Sequence, residues 1–562
     1  MLRTRSLLVA ALVGVATRDA LAEDRCTAIL VGAKASTTNA PMTTHTNDCS
    51  SCDFRIVKVP ARKHAPGAVH EVVLAGFDYP RYVGSARGSE YLPENLDKRF
   101  YNWTATPAIG TIPQVNETFA YIDGAYGIIN EHQVAIGEST CGARFVSKPL
   151  TQGGDALFDV SELSRIALQR AKTAREAIQI MGDLGVKYGY YGAEWEGEDD
   201  HISAVANQFV IHEIDVNKTD EFMASTNIYE VALRNAIWNQ SEPFDFTKVY
   251  SHARDEGHQY YSTRRVWRLF TLADPTLDLS PETDVFSSNY PFSVKTAQKL
   301  SPHDIMRFQR DHYEGTAFDM TEGPSGGPYG DPDRYDGGVN GNMTEKDVTS
   351  GTFERAISIF RASYSFVSIL DPANADNAYI WFGQYAPHAT SYAPVYTKVD
   401  TIPMQYTKGS LLAFDRESLQ SDLLQQAALV KKTGGEAAMV DFLTEQSALF
   451  ASQSHKTFTE LFEYIVTVFH DGYQMSGFYS GHLTATPLFY PKWWLQQVGY
   501  YGDAKNTTAT KEEADDDKDT IMFPPAVAVT TESPATATPS PTSTPEAVEV
   551  QVRSSGDGKS PA

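Results

Sequence analysis

The stretch Cys26-Thr27-Ala28-Ile29-Leu30-Val31-Gly32 decides how the fold of this chain is interpreted. Thr27–Val31 is a short apolar run, which is the pattern of a strand buried on both faces. A cysteine stands directly before this run, at the head of the predicted strand. We therefore expect a sheet-containing core that begins at Cys26.

The residues before Cys26 have the features of an export signal. A charged start is followed by the apolar segment Leu7–Ala16 and by Ala20-Leu21-Ala22, which is an A-x-A cleavage site. The apolar segment is too short to span a bilayer, so a membrane anchor is the less favoured alternative. We expect a signal peptide over residues 1–22, a short propeptide over residues 23–25, and no stable membrane insertion.

The composition favours an acidic, exported, globular protein. The 562 residues carry a formal net charge of −24 and are 42% hydrophobic, which is enough for a sizeable core. A nucleic-acid partner is not expected, because such a partner requires a basic face. Six N-x-S/T sequons support a secreted or lumenal location in the secretory pathway. They lie at Asn102, Asn116, Asn217, Asn239, Asn342 and Asn506.

The folded part is expected to run from residue 26 to about residue 501. After it comes an acidic run, Glu512–Asp517, and then a segment rich in Thr, Pro, Ser and Ala. Such a segment has little apolar surface to bury. Residues 502–562 are therefore expected to form a disordered tail.

The four cysteines leave two interpretations of Cys26 open. Composition alone favours Cys26 as half of a disulfide, and four cysteines allow three pairings. The C-x-x-C spacing of Cys49 and Cys52 favours a structural disulfide or an idle pair over a zinc site. Alternatively, removal of residues 23–25 would expose the α-amine of Cys26. An amine with a pKa of about 7.7 to 8.0 can accept the proton of a thiol whose pKa is about 8.5.

Strand and helix patterns alternate along the chain and predict a mixed α+β or α/β class. Besides the first strand, we expect a strand at Ala204–Ile214 and a hairpin within Tyr121–Thr140, with its turn at residues 130–132. Helical spacing of apolar residues runs from Leu163 to Met181, and Asp159 is placed to cap that helix.

Several different short motifs follow one another along the chain and are interpreted together. They are residues 26–32, Thr44-His45-Thr46-Asn47-Asp48-Cys49, Gly127–Thr140, Asp311–Thr316 with Gly330–Arg334, Trp381-Phe382-Gly383 and Pro491-Lys492-Trp493-Trp494. Together they resemble the secernin-related cysteine dipeptidases, which belong to the N-terminal-nucleophile (Ntn) hydrolases. The resemblance extends over nearly the whole span from Cys26 to about Tyr501.

This resemblance implies an α+β fold of the four-layer αββα sandwich type. It implies that Cys26 is the nucleophile, that its own amine is the general base, and that Asp48 holds this amine. Asn130 resembles the amide that helps to build the oxyanion hole. Asn207 resembles the second asparagine of the superfamily site, and Arg265 the arginine that supports it.

The residues alone leave alternatives open for two of these assignments. Asn207 fits a turn or strand-edge asparagine equally well, and a structural or surface ion pair is the more ordinary role for Arg265. His45 stands where many relatives have arginine, so the thiol is expected to have a weaker positive neighbour.

The chain also falls short of the family pattern in two places. One lies between Gly192 and His201, and the other follows Phe414–Ser418. A lost core strand would leave backbone groups unpaired. Either the protein diverges from the family at these positions or the given sequence lacks two internal segments. We expect the latter, so that the encoded protein contains further residues there.

The predicted reaction is hydrolysis of short peptides, mainly dipeptides, through a Cys26 acyl-enzyme. It requires no metal or organic cofactor. The first alternative is an acylase that cuts a non-peptide amide of the penicillin or bile-acid type. The second is a secreted glycoprotein with a degenerate site that acts by binding. A homo-oligomer is compatible with the sequence.

Overall fold

The computed structural model of this chain describes most of the region between Cys26 and Thr407. The described residues are 26–48, 52–74, 77, 81, 83–84, 87–92, 108–145, 147–191, 201–252, 260–326, 355–359, 362–384, 386–388, 390, 392–402 and 404–407. The predicted signal peptide, propeptide and tail lie outside them. So do Cys49, the blocks Gly330–Arg334 and Pro491–Trp494, and nearly all of both expected shortfalls.

The described residues contain fourteen strands. In chain order they are β1 (Thr27–Val31), β2 (Met42–Asp48), β3 (Val57–Val59), β4 (Arg62–Lys63), β5 (Val69–Val73), β6 (Ala108–Pro113), β7 (Glu117–Thr118), β8 (Tyr121–Asp123), β9 (Gly127–Asn130), β10 (Ile202–Val205), β11 (Ser293–Val294), β12 (Ala362–Ile369), β13 (Tyr379–Gln384) and β14 (Ala393–Tyr396).

Seven α-helices are described as well. They are α1 (Val160–Arg170), α2 (Ala174–Tyr188), α3 (Ile228–Arg234), α4 (Phe246–Tyr250), α5 (Thr263–Ala273), α6 (Pro302–Gln309) and α7 (Met404–Thr407). Short 3₁₀ turns lie at Ser89–Tyr91, Leu150–Gln152, Gly323–Gly326 and Ala375–Asn377.

The predicted first strand lies inside a seven-stranded sheet. The strand order is β11-β10-β1-β2-β12-β13-β14, and every neighbouring pair is antiparallel. β1 is therefore hydrogen-bonded on both edges, by β10 and by β2. Four of its five residues are buried, as the apolar run predicted.

A smaller sheet pairs β3, β8 and β9, and two ribbons join β4 to β7 and β5 to β6. Apolar side chains from the small sheet and the large one belong to one core, including Ile122 and Ile128 on the former and Ile29 and Phe366 on the latter. Burial of each such side chain stabilises the folded state by about 1.5 to 3 kcal/mol.

Helix α1 packs directly against β9 of the small sheet. Gly127 makes this approach close, because a Cβ atom at that position would lie 2.8 Å from Leu168 Cδ1 and 3.2 Å from Arg165 N. Helices α5 and α6 pack against the large sheet, on β10 and β12 respectively. Ser301 and Asp304 form a capping box that starts α6 at Pro302.

The structure refines three of the sequence predictions on secondary structure. Asp159 does cap α1, but the expected single helix is two, because Thr173 accepts a hydrogen bond from Glu176 N and starts α2. The strand expected at Ala204–Ile214 ends at Val205. The chain reverses at residues 130–134 as expected, and a second reversal joins β8 to β9.

The mixture of helices with antiparallel sheets fits the α+β class. None of the helices within the described part of the chain combines the length and the apolar character needed to cross a membrane.

Candidate active site

Cys26 lies at the head of β1 with its side chain fully buried. The register of β1 with β2, continued by one residue, places it opposite Asn47, and on the other side Asn207 lies two residues beyond the end of β10. Residues directly opposite each other in an antiparallel pair point to the same face of the sheet. The thiol therefore shares one face of the sheet with the Asn47 side chain.

The cysteines of the described region fall into two groups. Cys26 and Cys141 are thiols, whereas Cys52 is engaged in a disulfide. The interpretation of Cys26 as half of a disulfide is therefore wrong. Cys141 donates from Sγ to the Ser139 carbonyl oxygen at 3.1 Å.

Arg265 joins Asn207 to the main chain of Cys26. From α5, its Nη1 donates to the Cys26 carbonyl oxygen at 3.1 Å and to Thr27 Oγ1 at 2.7 Å. Its Nη2 donates to Asn207 Oδ1 at 2.7 Å. The structure thus brings together three of the residues predicted from the sequence. Arg265 is fully buried, so a surface ion pair is excluded.

Asn207 reaches Arg265 because the chain turns sharply just after β10 ends at Val205. Its φ of 62° is in the left-handed region, which asparagine tolerates better than most residues. Its side-chain Nδ2 donates to the Thr140 carbonyl oxygen at 2.9 Å, and its main-chain N–H donates to Ser139 Oγ at 3.0 Å. The turn role and the site role of Asn207 are therefore compatible.

Asp48 is buried at the end of β2, one step beyond the residue opposite Cys26. It lies on the side from which the chain enters β1, and Arg355 forms an ion pair with its Oδ2. Burial, and then the nearby Arg355, lower the pKa of Arg265 to about 9, so Arg265 stays charged near neutral pH. Asp48 acts in the opposite direction on that pKa.

His45 is buried on β2 and is uncharged near neutral pH. Burial lowers its pKa to about 3 because the imidazolium form loses its hydration. Nδ1 accepts a hydrogen bond from the Glu138 N–H at 2.7 Å, so the ring proton is on Nε2. Nε2 lies 3.3 Å from Tyr364 Oη and donates to it. His45 is therefore a neutral donor and does not supply a positive charge to the thiol.

The structure corrects the role expected for Asn130. Its Nδ2 uses both hydrogens on carbonyl oxygens of the α1 region, Leu168 O at 2.9 Å and Ala171 O at 2.8 Å. Its Oδ1 accepts from the N–H groups of His132 and Val134. With both donors used, this amide has none left for an oxyanion. Asn130 instead fixes the turn after β9 against the end of α1.

Sequence reasoning missed several residues that contact this site. Ser139 donates from Oγ to the Cys26 carbonyl oxygen at 3.1 Å, and it lies within the block Gly127–Thr140. Asn47 belongs to the block Thr44–Cys49, and the strand register would have pointed to it. Tyr364 carried no sequence signal, because its position depends on long-range pairing of β12 with β2. Arg355 carried none either, because its ion pair with Asp48 joins residues far apart in the sequence.

A buried cluster of charges lies next to Tyr364. Asp123 accepts hydrogen bonds from Arg165 Nε at 2.9 Å, Tyr91 Oη at 2.9 Å and Arg81 Nη2 at 3.4 Å. Arg81 is 2% exposed, and its Nε and Nη1 have no hydrogen-bond partner among the residues described. The guanidinium of Arg81 therefore has two buried donor nitrogens, Nε and Nη1, that form no hydrogen bond with the described residues.

A cavity of about 860 Å³ lies elsewhere, and none of the predicted site residues lines it. Its walls include Trp238, Phe244 and Phe292, together with His212, which is paired with Asp245 at 3.0 Å. Volume alone therefore does not identify the reactive centre of this molecule.

A buried thiol at the head of a central strand, with its carbonyl held by an arginine, is an arrangement suited to covalent catalysis. The sequence pattern of peptidase family C69 matches residues 25–197 and 198–419. The chain therefore belongs to peptidase family C69, a family of cysteine peptidases, and it is a peptide hydrolase. The two matched parts meet inside the segment between Gly192 and His201, where the sequence analysis expects further residues.

Individual relatives agree with this family. A probable dipeptidase of Latilactobacillus sakei is 26% identical over 516 residues, which cover 82% of this chain and 98% of that protein. The probable dipeptidase A of Streptococcus pyogenes serotype M1 is 23% identical, over 67% of this chain and 76% of that protein. A dipeptidase of Bifidobacterium longum (strain NCC 2705) is 24% identical over 42% of this chain.

Proposed function

We propose that this chain is a secreted cysteine dipeptidase in which the Cys26 thiol attacks the peptide bond and the Cys26 α-amine is the general base. The observation that carries the proposal is the placement of Cys26. It is a buried thiol at the start of a central strand, and Arg265 and Ser139 both donate to its carbonyl oxygen. The names of its relatives support dipeptides as the substrate class.

The mechanism requires that residues 1–25 be removed, so that the nitrogen of Cys26 becomes an amine. The position of Asp48 supports this step. It is a buried carboxylate on the side from which the chain enters β1, where a new ammonium group would need a counter-charge. Asp48 would then hold the amine in place while the amine exchanges protons with the thiol.

The proposed reaction has two halves. The thiol of Cys26 loses its proton to the amine and attacks the peptide carbonyl, and the amine then gives the proton to the leaving amino acid. Water, deprotonated by the same amine, next releases the acyl group from sulfur. Arg265, Asn207 and Ser139 keep the main chain of Cys26 in one geometry throughout, which favours both steps.

We further propose that the fold is the four-layer αββα sandwich of the Ntn hydrolases, secernin-related within them. Support comes from the packing of α1 on the small sheet and of α5 and α6 on the large one. The ring of His45 on β2 and that of Tyr126, next to β9, lie 5.6 Å apart, so the facing sides of the two sheets are in contact.

Secretion, glycosylation and the signal peptide remain part of the proposal. The sequons within the described residues support it, since Asn116, Asn217 and Asn239 are all exposed. An exposed asparagine is a requirement for glycosylation in the secretory pathway. The ratio of acidic to basic residues, 71 to 47, adds solubility without specifying a partner.

The experiment that tests the function is hydrolysis of a dipeptide panel by the secreted, mature protein. Cys26→Ala should lower kcat by at least about 10³-fold without unfolding the protein. Cys141→Ala is the matched control, because it removes another buried thiol and should keep activity. Retained activity in Cys26→Ala would refute the mechanism. Acyl amides of the penicillin and bile-acid types, tested at equal concentration, separate a dipeptidase from an acylase.

A further inference from the structure

Tyr364 is a buried phenol on β12 that shares a sheet face with the nucleophile. The register places Tyr364 opposite Asn47, and Asn47 is itself opposite Cys26. All three side chains therefore lie in one row across three neighbouring strands, on the same face. The phenol is fully buried.

A count of hydrogens shows what the Tyr364 hydroxyl can still do. Its oxygen receives the Nε2–H of His45 at 3.3 Å and faces the Tyr126 N–H at 3.5 Å. The tautomer of His45 is fixed because its Nδ1 already accepts the Glu138 N–H. Two donors thus occupy the acceptor side of the hydroxyl. Its own hydrogen is left to donate to another group.

The surroundings of Tyr364 suit donation to a negative charge. Burial raises the pKa of Tyr364 well above its ordinary value, so the hydroxyl keeps its proton. Among charged neighbours, Arg81 lowers that pKa whereas Cys26 and Asp123 raise it, so the thiol and the guanidinium both act on this hydroxyl. The guanidinium of Arg81 adds positive potential at this hydroxyl.

The small sheet fixes the position of this hydroxyl. A Cβ atom at Gly124 would lie 2.9 Å from Tyr364 Oη, so any other residue there would displace the phenol. Gly124 follows Asp123, whose carboxylate binds Arg81 and Arg165. The turn between β8 and β9 therefore holds Tyr364 and the charge cluster in one arrangement before substrate binds.

We propose that the Tyr364 hydroxyl donates a hydrogen bond to the oxyanion formed when Cys26 attacks the substrate carbonyl, and that His45 is the positioning residue behind it. This inference rests on the proposed function. In the step concerned, the carbon–sulfur bond forms and the π-electron pair of the carbonyl moves onto oxygen. The thiol proton goes to the Cys26 amine, and Tyr364 keeps its own proton.

This assignment fills the place that Asn130 leaves empty. It also gives a reason for a neutral histidine at position 45. An imidazole that accepts from the Glu138 N–H at Nδ1 donates to Tyr364 from Nε2, whereas an arginine has donors only and could not accept from Glu138. Asn207 already commits one amide hydrogen to the Thr140 carbonyl.

The test compares Tyr364→Phe with Tyr392→Phe in the mature protein. Tyr392 is the matched control: it is a buried phenol directly before β14 whose hydroxyl bonds Ser365 Oγ and Gln309 Oε1. Tyr364→Phe should lower kcat on a dipeptide about 100- to 1,000-fold with little change in KM, because an oxyanion donor acts in the transition state. Tyr392→Phe should leave kcat within a few-fold of the wild type.

A peptide aldehyde supplies a second readout that a purely structural role would not move. It forms a hemithioacetal with Cys26 whose oxygen mimics the oxyanion, so Tyr364→Phe should weaken its binding about as much as it lowers kcat. His45→Phe should lower kcat in the wild type but add little in the Tyr364→Phe background. His45→Gln, which keeps a donor, should restore part of the loss.

Two results would overturn the inference. One is equal kcat in Tyr364→Phe and Tyr392→Phe, and the other is unchanged aldehyde affinity. Both leave the dipeptidase proposal standing if the wild type hydrolyses dipeptides in a Cys26-dependent way. Failure of the proposed function is a different observation, namely no Cys26-dependent turnover by the wild type.

Discussion

The buried His45 makes the stability of this protein depend on pH in a way that can be calculated. Its pKa is about 3 in the folded state because of burial, against an ordinary value of 6.5 in the unfolded chain. Above the ordinary value the ring is neutral in both states. As the pH falls below it, the unfolded chain takes up a proton that the folded state does not. The free energy of unfolding therefore decreases between these two pKa values.

The size of this effect follows from the proton linkage. From pH 6.5 down to about 4.5 is two units, and each unit is worth about 1.4 kcal/mol for one proton. His45 alone should therefore remove about 2 to 3 kcal/mol of stability over this range. His45→Gln keeps an acceptor and a donor but does not titrate. It should be less sensitive to acid than the wild type by that amount.

The assay is urea denaturation of both proteins at about pH 7 and at about pH 4.5, with the free energy of unfolding extrapolated to water. Acidic groups titrate in both proteins, so the difference between them isolates residue 45. If the two proteins lose the same stability on acidification, His45 is not buried as a neutral ring. The hydrogen count that orients Tyr364 would then fail with it.

Three further substitutions test other contacts. Asn130→Ala should lower the free energy of unfolding by about 2 to 4 kcal/mol, since four hydrogen bonds are lost. It should leave kcat of the folded protein unchanged, and a drop in kcat of about 100-fold would instead support the oxyanion role of Asn130. Gly127→Ala should lower the free energy of unfolding by about 1 to 3 kcal/mol, because the new methyl group would collide with Leu168 and the α1 backbone. Thermal or urea unfolding measures this change, and wild-type stability would contradict the close packing. Arg265→Met should lower the free energy of unfolding by about 2 to 4 kcal/mol, because the buried oxygens of Cys26 and Asn207 lose their donor, and it should lose most turnover. Urea denaturation and kcat measure the two effects, and normal activity would exclude Arg265 from the site.

Local sequence signals predicted the parts of the fold that short-range physics determines. The strand after Cys26 and the cap at Asp159 are both found where the sequence predicted them. The break before α2 had a signal too, the pattern Thr173-x-x-Glu176 of a helix start, which the longer apolar periodicity obscured. Strand β10 ended early because Asn207 adopts a positive φ.

The site was only partly predictable, because its geometry depends on pairings between distant strands. Arg265 and Asn207 were found through the family resemblance, and the structure joins them to Cys26. Asn130 was misassigned, because its role is set by the carbonyl oxygens at the end of α1. Tyr364 was missed, since only the register of β12 on β2 reveals its place.

The measurement that tests the central claim most directly is the N-terminal residue of the mature secreted protein, determined by mass spectrometry together with turnover of a dipeptide. The account predicts a chain that begins at Cys26, whose amine lies beside Asp48 and whose activity is lost in Cys26→Ala. An active protein that begins at Glu23, or that keeps residues 1–25, would leave Cys26 without its own amine. That result would contradict the mechanism.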